Sequence, residues 1–501
     1  MSDFLSWFKN AGGTLSPLVG ITEFPGMSRG AIALDDIEEG FTLFTIPRNI
    51  LLSTRTTELR KRLGEADWAA LGSGWQPLIV SMMWEESRGN NSPWNGYLRD
   101  LPNQFDTLMF WSEEELAELQ ASTIKDKIGR TDAEQDYLEN VYPIICRRSD
   151  VFDPALLGSH FSGERFHING SRILSRSFHV EEWETEQASD HDGDPNHGSP
   201  ANDNEDDDTV PTLIEHVEAE PSMEVDGNAN ESDEDEDKEQ VDDVAMVPMA
   251  DILNARYGCE NAKLFYEKDV LRMISTKDIA RGDQIWNTYG DPPNADLLRR
   301  YGHVDLIPMD NKESNASSPF PYENPADEVE IRADLLLDIC LNNASESEKS
   351  QRTDVWLSLG GDDTFAIDKS DLLCKDMLRM IKYLSMTDEE VQDAVAKDKL
   401  PKGKPSGEIL AKAIAVFQAR LSQYTSSIEG DEGFLSAFTG PPNRLFNATF
   451  VRLCEKRLLK RAIEQGEAVL AQEGARSKGG KAKRPREEER ELRRDRKKIK
   501  K

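Results

Sequence analysis

Residues Val247 to Asp291 read VPMADILNARYGCENAKLFYEKDVLRMISTKDIARGDQIWNTYGD. A short apolar turn, Val247 to Ala250, hands over to Asp251 and Asn254. The runs Lys263–Tyr266 and Val270–Ile274 then alternate, and the break at Lys268-Asp269 between them reads as a hairpin. A third strand, Gln284 to Trp286, ends on Asn287-Thr288-Tyr289-Gly290. Polar residues stand where both apolar segments stop, so one small sheet is expected to bring two loops together. Such an arrangement suits a site better than a core. Taken alone, Tyr289 reads as a half-buried tyrosine using its hydroxyl at a sheet end; beside Asp251 and Asn254 it reads as a site residue.

Upstream, Leu18–Phe24 and Gly30–Leu34 are expected strands around Gly26-Met27-Ser28-Arg29-Gly30, where glycine lets backbone approach a ligand or simply turn. Asp36-Ile37-Glu38-Glu39-Gly40 matches Asp278-Ile279-Ala280-Arg281-Gly282 in pattern, each a D-I-x-x-G corner leading into an apolar strand. Their separation is too large for a solenoid repeat. The same β-corner used twice implies a fold of small twisted sheets. Between the halves, helix-like spacing covers Thr56–Leu71, Gln76–Arg88, Ser112–Leu119 and Asp132–Pro143, with a capped start at Ser112. A further helix is expected from Phe161 to Val180. Beyond Asp327 the pattern becomes helical, in Ala333–Leu341, Asp371–Leu384, Ser406–Thr425 and Asn443–Leu470.

Charge is unevenly spread. The net charge of the chain is −34, yet Glu181–Asp243 alone holds 26 acidic residues and 1 lysine, while Arg476–Lys501 holds 14 basic against 5 acidic. The acidic stretch has too little apolar surface to offset its ordering entropy and reads as a disordered loop, with a docking arm for a basic partner as the alternative. The basic tail reads first as a nuclear-import signal, then as a nucleic-acid or ribosome tether; its interleaved glutamates and lack of aromatics argue against direct nucleic-acid readout. Five cysteines without paired spacing argue against a disulfide framework and a structural zinc site, so no metal is expected. The first ten residues lack a signal-peptide core, and no run is long enough to cross a bilayer. A soluble intracellular monomer is expected.

PMADILN followed by NTYG resembles the SET domain of protein lysine methyltransferases, in the branch typified by the Rubisco large-subunit methyltransferase and the fungal ribosomal-protein lysine methyltransferases. The resemblance implies an α+β SET domain over 18–290, with a helical insertion at about 55–170 and the acidic loop at about 181–243. An all-α substrate-binding domain over 327–472 and the basic tail at 476–501 would follow. It implies S-adenosylmethionine as cofactor, held by the backbone of Met27, Ser28, Arg29 and Gly30. Arg176 would face the cofactor carboxylate, Asp251 and Asn254 the amino group and adenosine, and His303 the adenine. Tyr289 would be the catalytic residue, orienting the amine. Trp111, Ser177 and His179 would line the peptide groove. Read from the residues themselves, Arg176 is equally a surface salt bridge, Asp251 an N-cap and Trp111 a core residue.

Two positions depart from the family pattern: Ala255 stands where most SET domains have histidine, and His303 where phenylalanine is expected. The function so implied is monomethylation of a large-subunit ribosomal protein in the nucleus. A histone or other nuclear-protein methyltransferase, and an inactive scaffold that binds basic proteins, are the alternatives.

Overall fold

A computed structural model describes residues 2–24, 26–72, 74–180, 243–309 and 318–479. The acidic stretch, apart from the backbone of Asp243, and most of the basic tail lie outside the described residues. Three small antiparallel sheets form the N-terminal body. β1 (Thr14–Leu15), β4 (Thr42–Pro47), β9 (Val270–Ser275) and β8 (Ala262–Tyr266) follow one another in the first sheet. β10 (Gln284–Ile285), β3 (Ser28–Ala33) and β2 (Val19–Phe24) make the second, and β5 (Leu52–Ser53), β7 (Asp243–Met246) and β6 (Ser177–Val180) the third. Alternation decides which face is buried: in β9, Leu271, Met273 and Ser275 point inward while Val270, Arg272 and Ile274 are only partly covered.

The two D-I-x-x-G corners pair with each other. Ile37 and Ile279 exchange backbone hydrogen bonds of 2.9 and 2.8 Å. Asp36 Oδ1 accepts from the Arg281 amide at 2.8 Å, and Asp278 Oδ1 accepts from the Glu39 amide at 2.9 Å. Gly40 and Gly282 both take positive φ, 82° and 93°, which is why each corner ends on glycine. The repeat is thus one local solution used on both sides of an approximate two-fold relation.

The insertion packs on this body through one continuous apolar core that runs from Phe4 and Phe8 through Leu78, Met82 and Met83 to Met246 and Ile285. Its helices include Gln76–Ser87 and Gly163–Arg176. The expected helix over Thr56–Leu71 is two short ones, Leu59–Leu63 and Glu65–Ala69, meeting at Gly64. Ser112 caps the Glu113–Ala117 helix in a reciprocal box with Glu115, as the sequence indicates.

Three expectations are corrected. The helix expected to continue to Val180 stops at Arg176, and Ser177–Val180 is strand β6, paired with Met246–Asp243. The third strand of the 247–291 stretch does not join the hairpin's sheet. β10 pairs with β3, and the two loops meet instead through a parallel bridge, Ala255 with Asn287. The C-terminal region is not all-α. β13 (Glu328–Arg332) and β14 (Thr364–Asp368) form a ribbon whose Val329, Ile331, Phe365 and Ile367 enter the helical core. Two further two-residue strands, β11 (Ile307–Pro308) and β12 (Tyr322–Glu323), pair just before it. The Arg444–Gly479 helix then runs against the Gly407–Ser422 helix and returns to the insertion.

Candidate active site

The site forms where the Ala250–Ile252 turn, the Asn287–Gly290 loop and the edge of β3 converge. Met249 sits at φ 83° ahead of the turn, and the Asn287 amide donates to the Asn254 carbonyl at 3.0 Å. Gly30 of β3 completes the junction. A β-carbon there would stand 2.6 Å from Asn254 Nδ2 and 2.8 Å from Gln284 Nε2, so any larger residue would displace the ends of those two side chains.

Tyr289 lies at the middle of this junction, half-buried. Its hydroxyl donates to the Leu253 carbonyl at 3.4 Å, a long contact. Its ring stacks on Tyr301, centroids 4.2 Å apart and planes 3° from parallel. Burial pushes the phenol up to about 12, against the opposing pull of Arg176, so it remains protonated near neutral pH. Tyr301 ends the Asn294–Tyr301 helix, and His303 follows with its ring 6.0 Å from Tyr301. Burial lowers the His303 imidazole, with Asp305 acting in the opposite direction, so the neutral ring is favoured.

Beside the phenol is a pair of opposite charges, Asp251 buried and Arg176 half-buried. Arg176, at the end of the Gly163–Arg176 helix, donates through Nη1 to the Asp251 carbonyl at 2.6 Å and lies 4.0 Å from Asp251 Oδ2. Tyr97 donates to that same Oδ2 at 2.9 Å. Burial raises the Asp251 carboxyl above its ordinary range, and Arg176 and the Tyr97 hydrogen bond pull it back. Four buried polar atoms here have no partner: Asp251 Oδ1, Arg176 Nε, Asn254 Nδ2 and Gln284 Nε2. Buried groups left open in this way normally await something.

The remaining expected residues separate. Met27 and Ser28 occupy the β2–β3 turn, with Ser28 at φ 59°, and the Arg29 guanidinium is engaged by the Asp100 carboxylate and, at 2.7 Å, by its carbonyl. Ser177 is half-buried and His179 exposed on β6, directly after Arg176. Trp111 is a correction. It is 1 % exposed, donates to the Asp106 carbonyl at 2.8 Å, and packs with Leu108, Leu298, Ala448 and Val451. A ring so enclosed lines no groove; it seals the insertion against the long C-terminal helix. Sequence reasoning passed over Tyr97, Gln284 and Tyr301. The only signal was position, since Gln284 opens the expected third strand and Tyr301 stands two residues before His303; nothing in the sequence reading pointed to Tyr97. Among the described residues no cluster of His, Cys, Asp and Glu suits a metal ion, and no helix is long and apolar enough to cross a membrane.

The structure superposes on Rubisco LSMT bound to sinefungin and monomethyllysine with a TM-score of 0.58 at 19 % identity, covering 94 % of this chain and 93 % of that one. Rubisco LSMT bound to AdoMet gives 0.58 at 17 % identity, covering 98 % and 99 %. The chain shares the fold of these Rubisco LSMT structures. In sequence, it is 29 % identical over 312 residues to ribosomal lysine N-methyltransferase 4 of Saccharomyces cerevisiae, covering 60 % of this chain and 55 % of the relative. To N-lysine methyltransferase setd6 of Danio rerio it is 32 % identical over 321 residues, covering 63 % and 59 %. The matched stretch therefore spans between half and two thirds of these relatives' length. A longer match, 27 % identical over 498 residues, joins it to N-lysine methyltransferase SETD6 of Mus musculus, covering 93 % and 90 %. No family model matches the chain.

S-adenosylmethionine, which one of these Rubisco LSMT structures holds, fits the groups present. Adjacent open atoms of opposite charge, Asp251 Oδ1 and Arg176 Nε, complement an ammonium and a carboxylate on one carbon. The open amides of Asn254 and Gln284 around Gly30 offer donors for a heterocycle or ribose.

Proposed function

We propose that this SET-domain chain is an S-adenosylmethionine-dependent protein-lysine N-methyltransferase, that Tyr289 is its catalytic residue, and that a ribosomal protein of the large subunit is its substrate. The observation carrying the reading is the Tyr289 phenol, held between the Leu253 carbonyl and the Tyr301 ring beside an oppositely charged pair with open atoms.

The bound cofactor supplies an activated methyl group on a sulfonium. Arg176 and Asp251 anchor the amino-acid end of the ligand, with Asn254 and the Met27–Gly30 turn along its remainder and His303 beside its base. Tyr289 meets the second reactant. A lysine amine has a pKa near ~10.4 in water and must lose its proton before it can attack. The partly buried surroundings of Tyr289 disfavour the ammonium, and the phenol, protonated at neutral pH, aligns the neutral amine by hydrogen bonding. Alignment of this kind is where an in-line displacement gains most of its rate. The tyrosine holds a proton throughout and removes none.

Ser177 and His179, on the strand that leaves Arg176, are the candidate peptide contacts. The ribosomal target is supported by the name of the yeast relative and by the basic character of such substrates; one methyl group per lysine, a nuclear location and action as a monomer belong to the same reading. The test is methyl labelling of purified ribosomal proteins and histones side by side with wild-type protein and Tyr289→Phe. Labelling of a single large-subunit protein, reduced about 100-fold in the variant while cofactor affinity is kept, is the expected result. Labelling confined to histones would reassign the target, and full activity in Tyr289→Phe would remove the catalytic role of the phenol.

A further inference from the structure

Tyr97 takes no part in the chemistry above, yet it is enclosed on every side the contacts describe and touches a site residue. It lies on the short Asn95–Leu98 helix of the insertion, 154 positions from its partner Asp251, and is 2 % exposed. Behind it stands the Ser2–Asn10 helix: Trp7 stacks on the Tyr97 ring at 6.0 Å and 21°, Phe4 packs at 6.3 Å, and Trp7 Nε1 ties the helix to the Pro93 carbonyl at 2.7 Å. The phenol therefore has one place to donate, Asp251 Oδ2. With Oδ2 so engaged, the second oxygen, Oδ1, remains buried without a partner, next to the equally open Arg176 Nε.

We infer that Tyr97 is a positioning residue whose hydroxyl fixes the Asp251 carboxylate, so that Oδ1 and Arg176 together receive the zwitterionic amino-acid head of the cofactor. The inference rests on the proposed function and specifies how one end of that ligand is recognised. A carboxylate held by one oxygen presents the other in a fixed direction, and a preorganised acceptor binds an ammonium better than one free to rotate. The groups facing Asp251 are Arg176 on the long insertion helix, Tyr97, Arg29 on β3 with its partner Asp100, and the Tyr289 phenol. The Tyr97 phenol is pushed well up by burial and by Asp251 itself, so it stays a donor near neutral pH.

Titration calorimetry on the full chain tests this with two ligands, S-adenosylmethionine and 5′-methylthioadenosine, which lacks the amino-acid head. Tyr97→Phe, which keeps the ring and its packing, is expected to weaken S-adenosylmethionine about tenfold and to leave methylthioadenosine unchanged. The pH profile gives an independent readout. Ammonium binding needs ionised Asp251, so affinity is present above the folded pKa of that carboxyl and lost as pH falls through it. Removal of the Tyr97 donor raises that pKa further, so the acid limb for S-adenosylmethionine moves to higher pH in the variant. Asp251→Asn should show the same selective loss, and adding Tyr97→Phe to it should change little more. Equal weakening of both ligands, or of neither, overturns the inference while the proposed function stands. Wild-type protein that binds neither compound overturns both.

Discussion

Two of the places where the molecule buries charge are built differently. In the long C-terminal helix, Arg452 forks onto Asp431 at 3.0 and 3.1 Å, and Lys456 reaches the same carboxylate at 2.6 Å. Glu455 accepts from Ser122 at 2.6 Å and Tyr424 at 2.5 Å, and Arg457 donates to Glu432 and to the carbonyls of Phe320 and Tyr322, all at 2.7 Å. None of these four helix residues has an open buried atom. At the candidate site the opposite holds, because Asp251, Arg176, Asn254 and Gln284 each keep one. Both sets are desolvated, so burial alone does not mark function. Open buried atoms occur elsewhere too, Asn447 Oδ1 and Arg420 Nη2 among them, so what marks the site is that four of them converge on one junction, while the four helix residues are satisfied within the protein.

That contrast can be broken most readily at Asp431. Asp431→Ala strands Arg452 and Lys456 together, and equilibrium denaturation should show a loss of about 3–5 kcal/mol. A smaller loss would mean that the helix network is slack. The open network should respond to ligand instead. S-adenosylmethionine at about 100 times its Kd should raise the unfolding free energy by about 2.7 kcal/mol, seen as a thermal shift of the wild-type chain. Asp251→Asn sharpens the comparison further. The folded pKa of Asp251 is raised, so above that pKa the ionised form costs stability, and the cost disappears as pH falls through it. The neutral amide should therefore melt no lower than wild type without ligand, within about 1 kcal/mol, while losing the ligand-induced shift. The smallest effect is expected at Gln284→Leu: within about 0.5 kcal/mol of wild type in ligand-free protein, because an unpartnered donor is removed, but with a diminished ligand shift.

How much of this was legible beforehand depended on whether a partner lay close in sequence. The corners at Asp36 and Asp278 were visible because both carry the same local pattern, and the Ser112 cap because its partner is three residues on. The end of the 163–176 helix was not: Ser177–Val180 becomes a strand only because Asp243–Met246 lies beside it, more than sixty residues later. Val329 and Ile331 alternate as a strand should, but Phe365 and Ile367, which complete the ribbon, follow after two helices. The groove role that the resemblance implied for Trp111 fails for a related reason, while its core reading holds. Its burial comes from Ala448 and Val451, more than three hundred positions away, and an aromatic beside a loop carries no sign of which side will be covered. Within the candidate site, motif spacing located Asp251, Asn254 and Tyr289. Tyr97 and Tyr301 act through contacts with those residues and have no spacing of their own.

The paired corners have a consequence for the architecture around them. Each aspartate is satisfied by the backbone of the other half, so the two ends of the chain's central excursion are clasped at their base, whatever hangs between. Once a loop is closed by such a clasp, doubling its length costs only about 0.6 kcal/mol. New surface can therefore be spliced in beyond the clasp, and the geometry of the candidate site beneath it need not change.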